Sequence, residues 1–271
     1  TDFHGKRQTV YASTLQELRQ KEKEIQKQVD DGLDYEAGQI TVIELIEKYI
    51  SLKQGGRYNT KVGYQFVLNL VKKEEFGYRK ISTIKVSDAK QWFMKLQKDG
   101  RGYSTITSVR GVIKPAFQMA YDEDAVRKNP FAFKLTDAVV NDSEQRIALT
   151  DEQLEIWMDF IKNDNTYCKY YDEFVVLLET GMRVSEFCGL TKKDLDFKNR
   201  RIRVDHQLVR ERGGKYYVEE TKTSSGCRFL PMTDSIYQSL KNMLARRPKV
   251  KKEVVVDGYT GFMIHDKKSN P

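Results

Sequence analysis

The stretch TGMRVSEFCGL, residues 180–190, reads as a corner between two helices. The apolar run YDEFVVLLET (171–180) leads into it, and Gly181 can take the positive φ that closes a helix. Arg183 then stands at the mouth of the next helix, where backbone amides and the helix dipole also attract anions. A guanidinium there suits a phosphate, because its planar fork forms paired hydrogen bonds and it never loses its charge. An ordinary helix corner with a surface arginine would read the same way, so this segment alone leaves both readings open.

Working outward, three strand-like runs follow: RIRVDHQLV (201–209), KYYVEETK (215–222) and CRFLPM (227–232). The turn TSSG (223–226) predicts a hairpin between the last two, with Lys222 ending a strand at its tip. Thr233 caps a helix carrying Ile236, Leu240, Met243 and Leu244. On the other side of the corner, Thr150-Asp-Glu-Gln153 is a capping box before Leu154, Trp157, Met158 and Ile161.

The earlier chain is helical in pattern. Thr41 and Glu44 form a capping box ahead of Val42, Leu45, Ile46, Tyr49 and Ile50. Asn59 or Thr60 caps a second helix with Val62, Phe66, Val67, Leu70 and Val71 inward. Ser87 opens a third, with Trp92, Phe93 and Leu96 inward and Gly100 as its stop. Ser104 opens a fourth with Ile106, Val109, Ile113 and Phe117, which Pro115 should kink or split. Asn129-Pro130 ends the unit. At the N-terminus, RQTVYAS (7–13) reads as a short strand, and Leu15, Leu18, Ile25 and Val29 form a thin apolar stripe on a charged helix over 14–29.

These patterns predict a mainly α chain with a small antiparallel β-sheet. The expected parts are a leftover piece and connector helix (1–39), an all-helical domain (40–135), a polar linker (136–149) and an α+β domain (150–271). The 271 residues suit two domains, and 39% hydrophobic content excludes a disordered chain. Lys plus Arg number 47 against 39 Asp plus Glu, and the net charge of +8 favours a polyanionic partner. Three cysteines and three scattered histidines have no disulfide or ligand spacing, so neither a disulfide framework nor a metal site is expected. No apolar run reaches membrane length.

Together the two segments resemble the tyrosine recombinase (phage integrase) family, and the resemblance covers nearly all of the chain. TGMRVSEFCGL is similar to the family's first box, and TKTSSGCRFLP (221–231) to its β-hairpin. PAFQMAYDEDAVRKNPF (115–131) is similar to integrases of conjugative transposons, and RQTVYASTLQELRQK (7–21) resembles the end of their arm-binding domain.

The resemblance implies a core-binding domain over 40–135 and a catalytic domain from 150 onward. It implies that Arg183 holds the scissile phosphate and that Lys222 protonates the leaving oxygen. The reaction implied is site-specific cutting and rejoining of a mobile element's DNA through a 3′-phosphotyrosyl intermediate, with no cofactor or metal. Implied partners are double-stranded DNA at element ends and target site, further copies of the chain in a tetramer, and an accessory DNA-bending or excision factor. The implied setting is the bacterial cytoplasm and nucleoid.

On the helical domain, Lys61, Ser104, Thr107, Arg110 and Lys114 share the face away from the core; they are expected to contact DNA phosphates, and an ordinary solvated helix face is the alternative for each. The family's His-x-x-Arg segment, a later His or Trp and the nucleophilic tyrosine have no match. His265 precedes Asp266-Lys267-Lys268, and Tyr259 follows the hairpin too soon. The expectation is therefore a chain cut at both ends, stopping inside an incomplete catalytic domain and inactive alone. The alternatives are a duplex-binding protein with a recombinase-like fold but no chemistry, or a basic scaffold with no nucleic-acid role.

Overall fold

The computed structural model describes residues 9–30, 32–53, 55–221, 224–249 and 253–265. The chain divides into two units, Thr1–Arg146 and Ile147–Pro271.

The first unit begins with α1 (Leu15–Asp30), whose narrow apolar stripe buries little: Leu15 is 66% exposed. The side chain of Val29 and positions 7 and 8 lie outside the described residues, and residues 9–13 form no strand. Nothing among the described residues of this unit offers them a strand to pair with.

Four helices then enclose the core: α2 (Val42–Ser51), α3 (Tyr58–Val71), α4 (Val86–Lys98) and α5 (Tyr103–Asp122). The Thr41 hydroxyl accepts the Glu44 N–H at 3.2 Å and the Glu44 carboxylate accepts the Thr41 N–H at 2.7 Å, the reciprocal cap expected. The N-cap of α3 is Arg57, two residues before Asn59 and three before Thr60, because the Arg57 carbonyl already accepts from Thr60 and Lys61. Its apolar face is also rotated: Leu68 is buried while Phe66 is 43% exposed. α4 starts at Val86, where the Asp88 carboxylate takes the Lys85 N–H at 2.8 Å. Gly100, at φ 84°, follows its end. α5 runs through Pro115 as one helix rather than two.

Aromatic rings fill this core. Phe76 stacks on Trp92 at 4.5 Å between centroids, and the Phe131 ring lies 5.2 Å from Phe117 and 5.3 Å from Phe93. Phe131 is delivered by Asn129-Pro130. The buried Asn129 side chain accepts the Phe131 N–H at 2.9 Å and donates to the Lys114 carbonyl at 2.9 Å, turning the chain back onto α5. The polar linker expected over 136–149 is tied to the first unit at its start: Gln97 bonds both backbone groups of Val140, and Asp142 accepts the Tyr103 N–H at 2.9 Å.

The second unit comprises α6 (Asp151–Asn163), α7 (Tyr171–Thr180), α8 (Val184–Gly189) and α9 (Asp234–Arg246) around short strands. The strands are β1 (Leu195–Asp196), β2 (Arg201–Val204), β3 (His206–Arg210), β4 (Tyr216–Glu220), β5 (Arg228–Pro231), β6 (Val255–Val256) and β7 (Tyr259–Thr260). All pairings are antiparallel, in sheets β1-β2-β5, β3-β4 and β6-β7.

The expected hairpin is therefore corrected. The run 201–209 breaks at Asp205 into β2 and β3, and β4 pairs with β3 rather than with β5. Gly213 and Gly214, both at positive φ, make the tight turn between β3 and β4. β5 instead returns to β2, with Ile202 opposite Leu230. The β6–β7 hairpin was not expected. Its Asp257-Gly258 turn has φ 47° and 85°, the pair of positive values a type I′ turn needs. Ile202 and Val204 of β2 face a core of Val176, Phe187, Leu190, Ile236 and Leu240, and α7 packs on α9. Among the described residues, no helix is long and apolar enough to cross a membrane.

Candidate functional site

Arg183 is placed by its neighbours on either side. Gly181, at φ 61°, ends α7 and donates its N–H to the Leu177 carbonyl at 3.0 Å. Met182 is buried and pins the corner. Arg183 is then the N-cap of α8, with its side chain 71% exposed. α8 has six residues, too few for the dipole expected at its mouth to count for much. Attraction for an anion at this corner therefore rests on the guanidinium itself.

Behind Arg183 lies a buried carboxylate, Glu186, whose side chain is 2% exposed. It accepts the Arg183 N–H at 3.0 Å and Arg183 Nη1 at 2.7 Å. From the other side it accepts Arg228 Nη2 at 2.8 Å and Nη1 at 3.3 Å. Burial pushes the Glu186 carboxyl up, but the hydrogen bonds from Arg228 and Arg183 outweigh it and hold the group at about 2. The carboxylate is thus charged and shared by two guanidinium groups. Arg183 has five N–H donors, so the bond from Nη1 leaves others facing outward.

Arg228 belongs to the second segment singled out in the sequence. That segment closes on itself: a Cβ on Gly226 would sit 2.5 Å from the Thr221 Cβ, so glycine allows the approach. Arg228 Nη1 also donates to the Gly226 carbonyl at 3.0 Å. Lys222 and Thr223 lie outside the described residues. The box and the second segment are joined here by Arg228 and Glu186, a contact across 42 residues of chain.

The far end of α8 is equally tight. A Cβ on Gly189 would meet the Leu208 backbone nitrogen at 2.9 Å. The buried His206 ring has Nε2 2.8 Å from the Gly189 carbonyl and Nδ1 2.5 Å from Asp205 Oδ1. Asp194, Asp205 and His206 are close enough to hold a metal ion. Arg203, however, already bridges the two carboxylates, at 2.9 Å from Asp194 and 3.3 Å from Asp205, and the Thr191 hydroxyl donates to Asp194 at 2.6 Å. A cation there would have to displace a guanidinium.

The expected phosphate contacts of the helical unit divide. Ser104 and Thr107 are exposed on α5, and Lys61 is exposed on α3. The Thr107 hydroxyl donates to the Tyr103 carbonyl at 2.9 Å. Lys114 is half-buried on α5. Arg110, beside the buried Val109, is half-buried too, and its Nη2 donates to the Phe133 carbonyl at 2.5 Å and approaches that of Phe131 at 3.4 Å. Arg110 thus fastens the loop after Asn129-Pro130. Reasoning from sequence missed this and missed Arg228, since both depend on partners distant in the chain.

The model of the Phage integrase family matches residues 148–268. The transposase from transposon Tn916 of Enterococcus faecalis is 42% identical over 254 residues, which cover 94% of this chain and 62% of that protein. The chain therefore spans less than two thirds of that relative's length. A tyrosine recombinase XerC-like protein of Caldanaerobacter subterraneus is 25% identical over 268 residues, 92% of this chain and 67% of that protein. Among solved structures, the Tn1549 transposon integrase in complex with a circular intermediate DNA is 40% identical at TM-score 0.82, covering 86% of this chain and 73% of that one. A lambda integrase dimer bound to a core site, 14% identical at TM-score 0.57 over 87% of this chain and 60% of that one, shares the fold.

Proposed function

Because the chain belongs to the phage integrase family, we propose that it is part of a site-specific recombinase of a mobile element, which cuts and rejoins duplex DNA. The helical unit is the core-binding domain and the second unit carries the catalytic groups. Arg183 is the clamp on the scissile phosphate. Negative charge gathers on the equatorial oxygens of the pentacoordinate phosphorus as a tyrosine hydroxyl attacks, and a guanidinium held in advance stabilises it. Lys222 gives its proton to the departing 5′ oxygen as the phosphorus–oxygen bond breaks. The tyrosine is joined to the 3′ phosphate, which keeps the bond energy for rejoining. The nucleophile is assigned to no residue of 1–271. Lys61, Ser104, Thr107 and Lys114 are proposed as phosphate contacts, with Arg110 acting as much on its own loop. The partners are duplex DNA, as in the DNA complex of the similar Tn1549 integrase, and further copies of the chain. The bacterial cytoplasm, where element DNA resides, is the setting.

One observation carries this reading: Arg183 is exposed, yet held from behind by a buried carboxylate. The test is duplex binding by this chain as salt is varied, since each phosphate contact adds about 0.9 to the slope of log K against log salt. Arg183→Lys keeps the charge and loses the fork. It should weaken binding about threefold to tenfold with the fold intact by circular dichroism. Binding indifferent to both salt and this substitution would remove the phosphate clamp.

A further inference from the structure

Two guanidinium groups share one carboxylate at the corner, and the arithmetic of their charges has a consequence. Arg183 and Arg228 contribute +2 and Glu186 −1, so the triad carries +1. Of the two arginines, Arg183 is the more open to solvent, with its side chain 71% exposed against 28% for Arg228. Were Glu186 paired with Arg183 alone, at 2.7 Å, the pair would be neutral and would attract a second anion weakly. Arg228 takes both oxygens of the same carboxylate, at 2.8 and 3.3 Å. It therefore balances the buried charge from behind.

We propose that Arg228 is a positioning residue for Arg183: by neutralising Glu186 it leaves the exposed guanidinium its positive charge, and by gripping both oxygens it fixes the direction in which that guanidinium points. Arg228 itself touches no phosphate. The inference rests on the reading of Arg183 as a phosphate clamp.

The test is a charge-rescue cycle on this chain. Binding of a mixed-sequence DNA duplex is measured by fluorescence anisotropy at low salt, and the Arg183 Nε–H resonance is followed as duplex is added. Arg228→Gln makes the triad neutral and should weaken binding about tenfold. It should also lower the salt slope by about 0.9 and shrink the Arg183 resonance shift. Adding Glu186→Gln removes the carboxylate and returns the triad to +1, so binding should recover to within about threefold of the parent. A merely structural role for Arg228 predicts the opposite, a double variant no better than the single one. Arg228→Lys, which keeps charge without the fork, should recover most of the affinity. If Arg183→Gln leaves binding unchanged, the clamp reading fails and this inference falls with it. If Arg183→Gln weakens binding but Arg228→Gln does not, the inference alone is overturned. Should Arg228→Gln fail to fold, Arg228→Lys and the double variant decide, since both keep +1: near-parental affinity in both supports the proposal and loss in both overturns it.

Discussion

The first unit is held by rings, the second by buried carboxylates. In residues 42–139 the largest fully buried side chains include Phe93, Phe117 and Phe131, while ion pairs such as Lys48–Glu123 and Lys72–Glu47 lie on the surface, more than 40% exposed on each partner. In the second unit three ion-paired carboxylates sit inside. The Asp194 side chain is 0% exposed beneath Arg203, Glu186 is 2% beneath Arg183 and Arg228, and Asp172 is 10% beneath Arg246. Exposed pairs contribute about 0–1 kcal/mol, whereas breaking a buried pair costs about 3–5 kcal/mol. The difference shows how a unit can present cations outward: Arg203, Arg183 and Arg246 are each anchored from within by an acid at most 10% exposed.

The largest effect that could break this contrast belongs to the first unit. Phe131→Ala should cost about 3–5 kcal/mol, because four rings lose their common neighbour and the turn at Asn129 leaves a cavity. Hydrogen exchange over residues 42–139 would report it. A loss under 1 kcal/mol would mean that the aliphatic side chains, not the rings, hold the unit.

Next comes the second unit. Asp194→Ala removes a buried acid from Arg203 and Thr191 and should cost about 3 kcal/mol in urea unfolding followed on residues 171–246. A substitution there as mild as one at a surface pair would end the comparison.

The smallest effect is acid sensitivity. Glu186 has its carboxyl held at about 2, below the usual 4.5. A depressed acid stabilises the fold fully above its unfolded value and loses that contribution as pH falls through the folded one. Glu186 should therefore account for about 2 kcal/mol of the stability that the second unit loses between pH 4.5 and 2, and Glu186→Gln should remove that share while the share of Glu253, likewise held at about 2, remains. An unchanged curve in the variant would show that Glu186 is not the group responsible.

The same division governs what could be read beforehand. Thr41, Thr150 and Thr233 each cap a helix as their local pattern predicts, because a cap and its partner lie three residues apart. The error at α3 is of the same local kind: Arg57 supplies the first carbonyl without any capping side chain, so no capping residue marks the start. The runs holding β2, β3, β4 and β5 were legible as strands but not in their pairing, and the short β1, β6 and β7 were not foreseen. The expected β4–β5 hairpin rested on TSSG, whereas Gly213-Gly214 makes the tighter turn and sends β4 back to β3. Arg228 lay inside a segment already singled out, yet nothing local marks it, since its carboxylate partner stands 42 residues earlier.

Local spacing was enough to determine the helices, the glycine-closed corner and the arginine that follows it, since each depends on hydrogen bonds and torsions within a turn or two of chain. Only the tertiary structure decided that Arg228 meets Glu186, that β5 joins β2 and that Phe131 lies among the rings. These contacts join residues far apart in sequence, and they form because buried charge and buried apolar surface must each find a partner, wherever along the chain it is encoded.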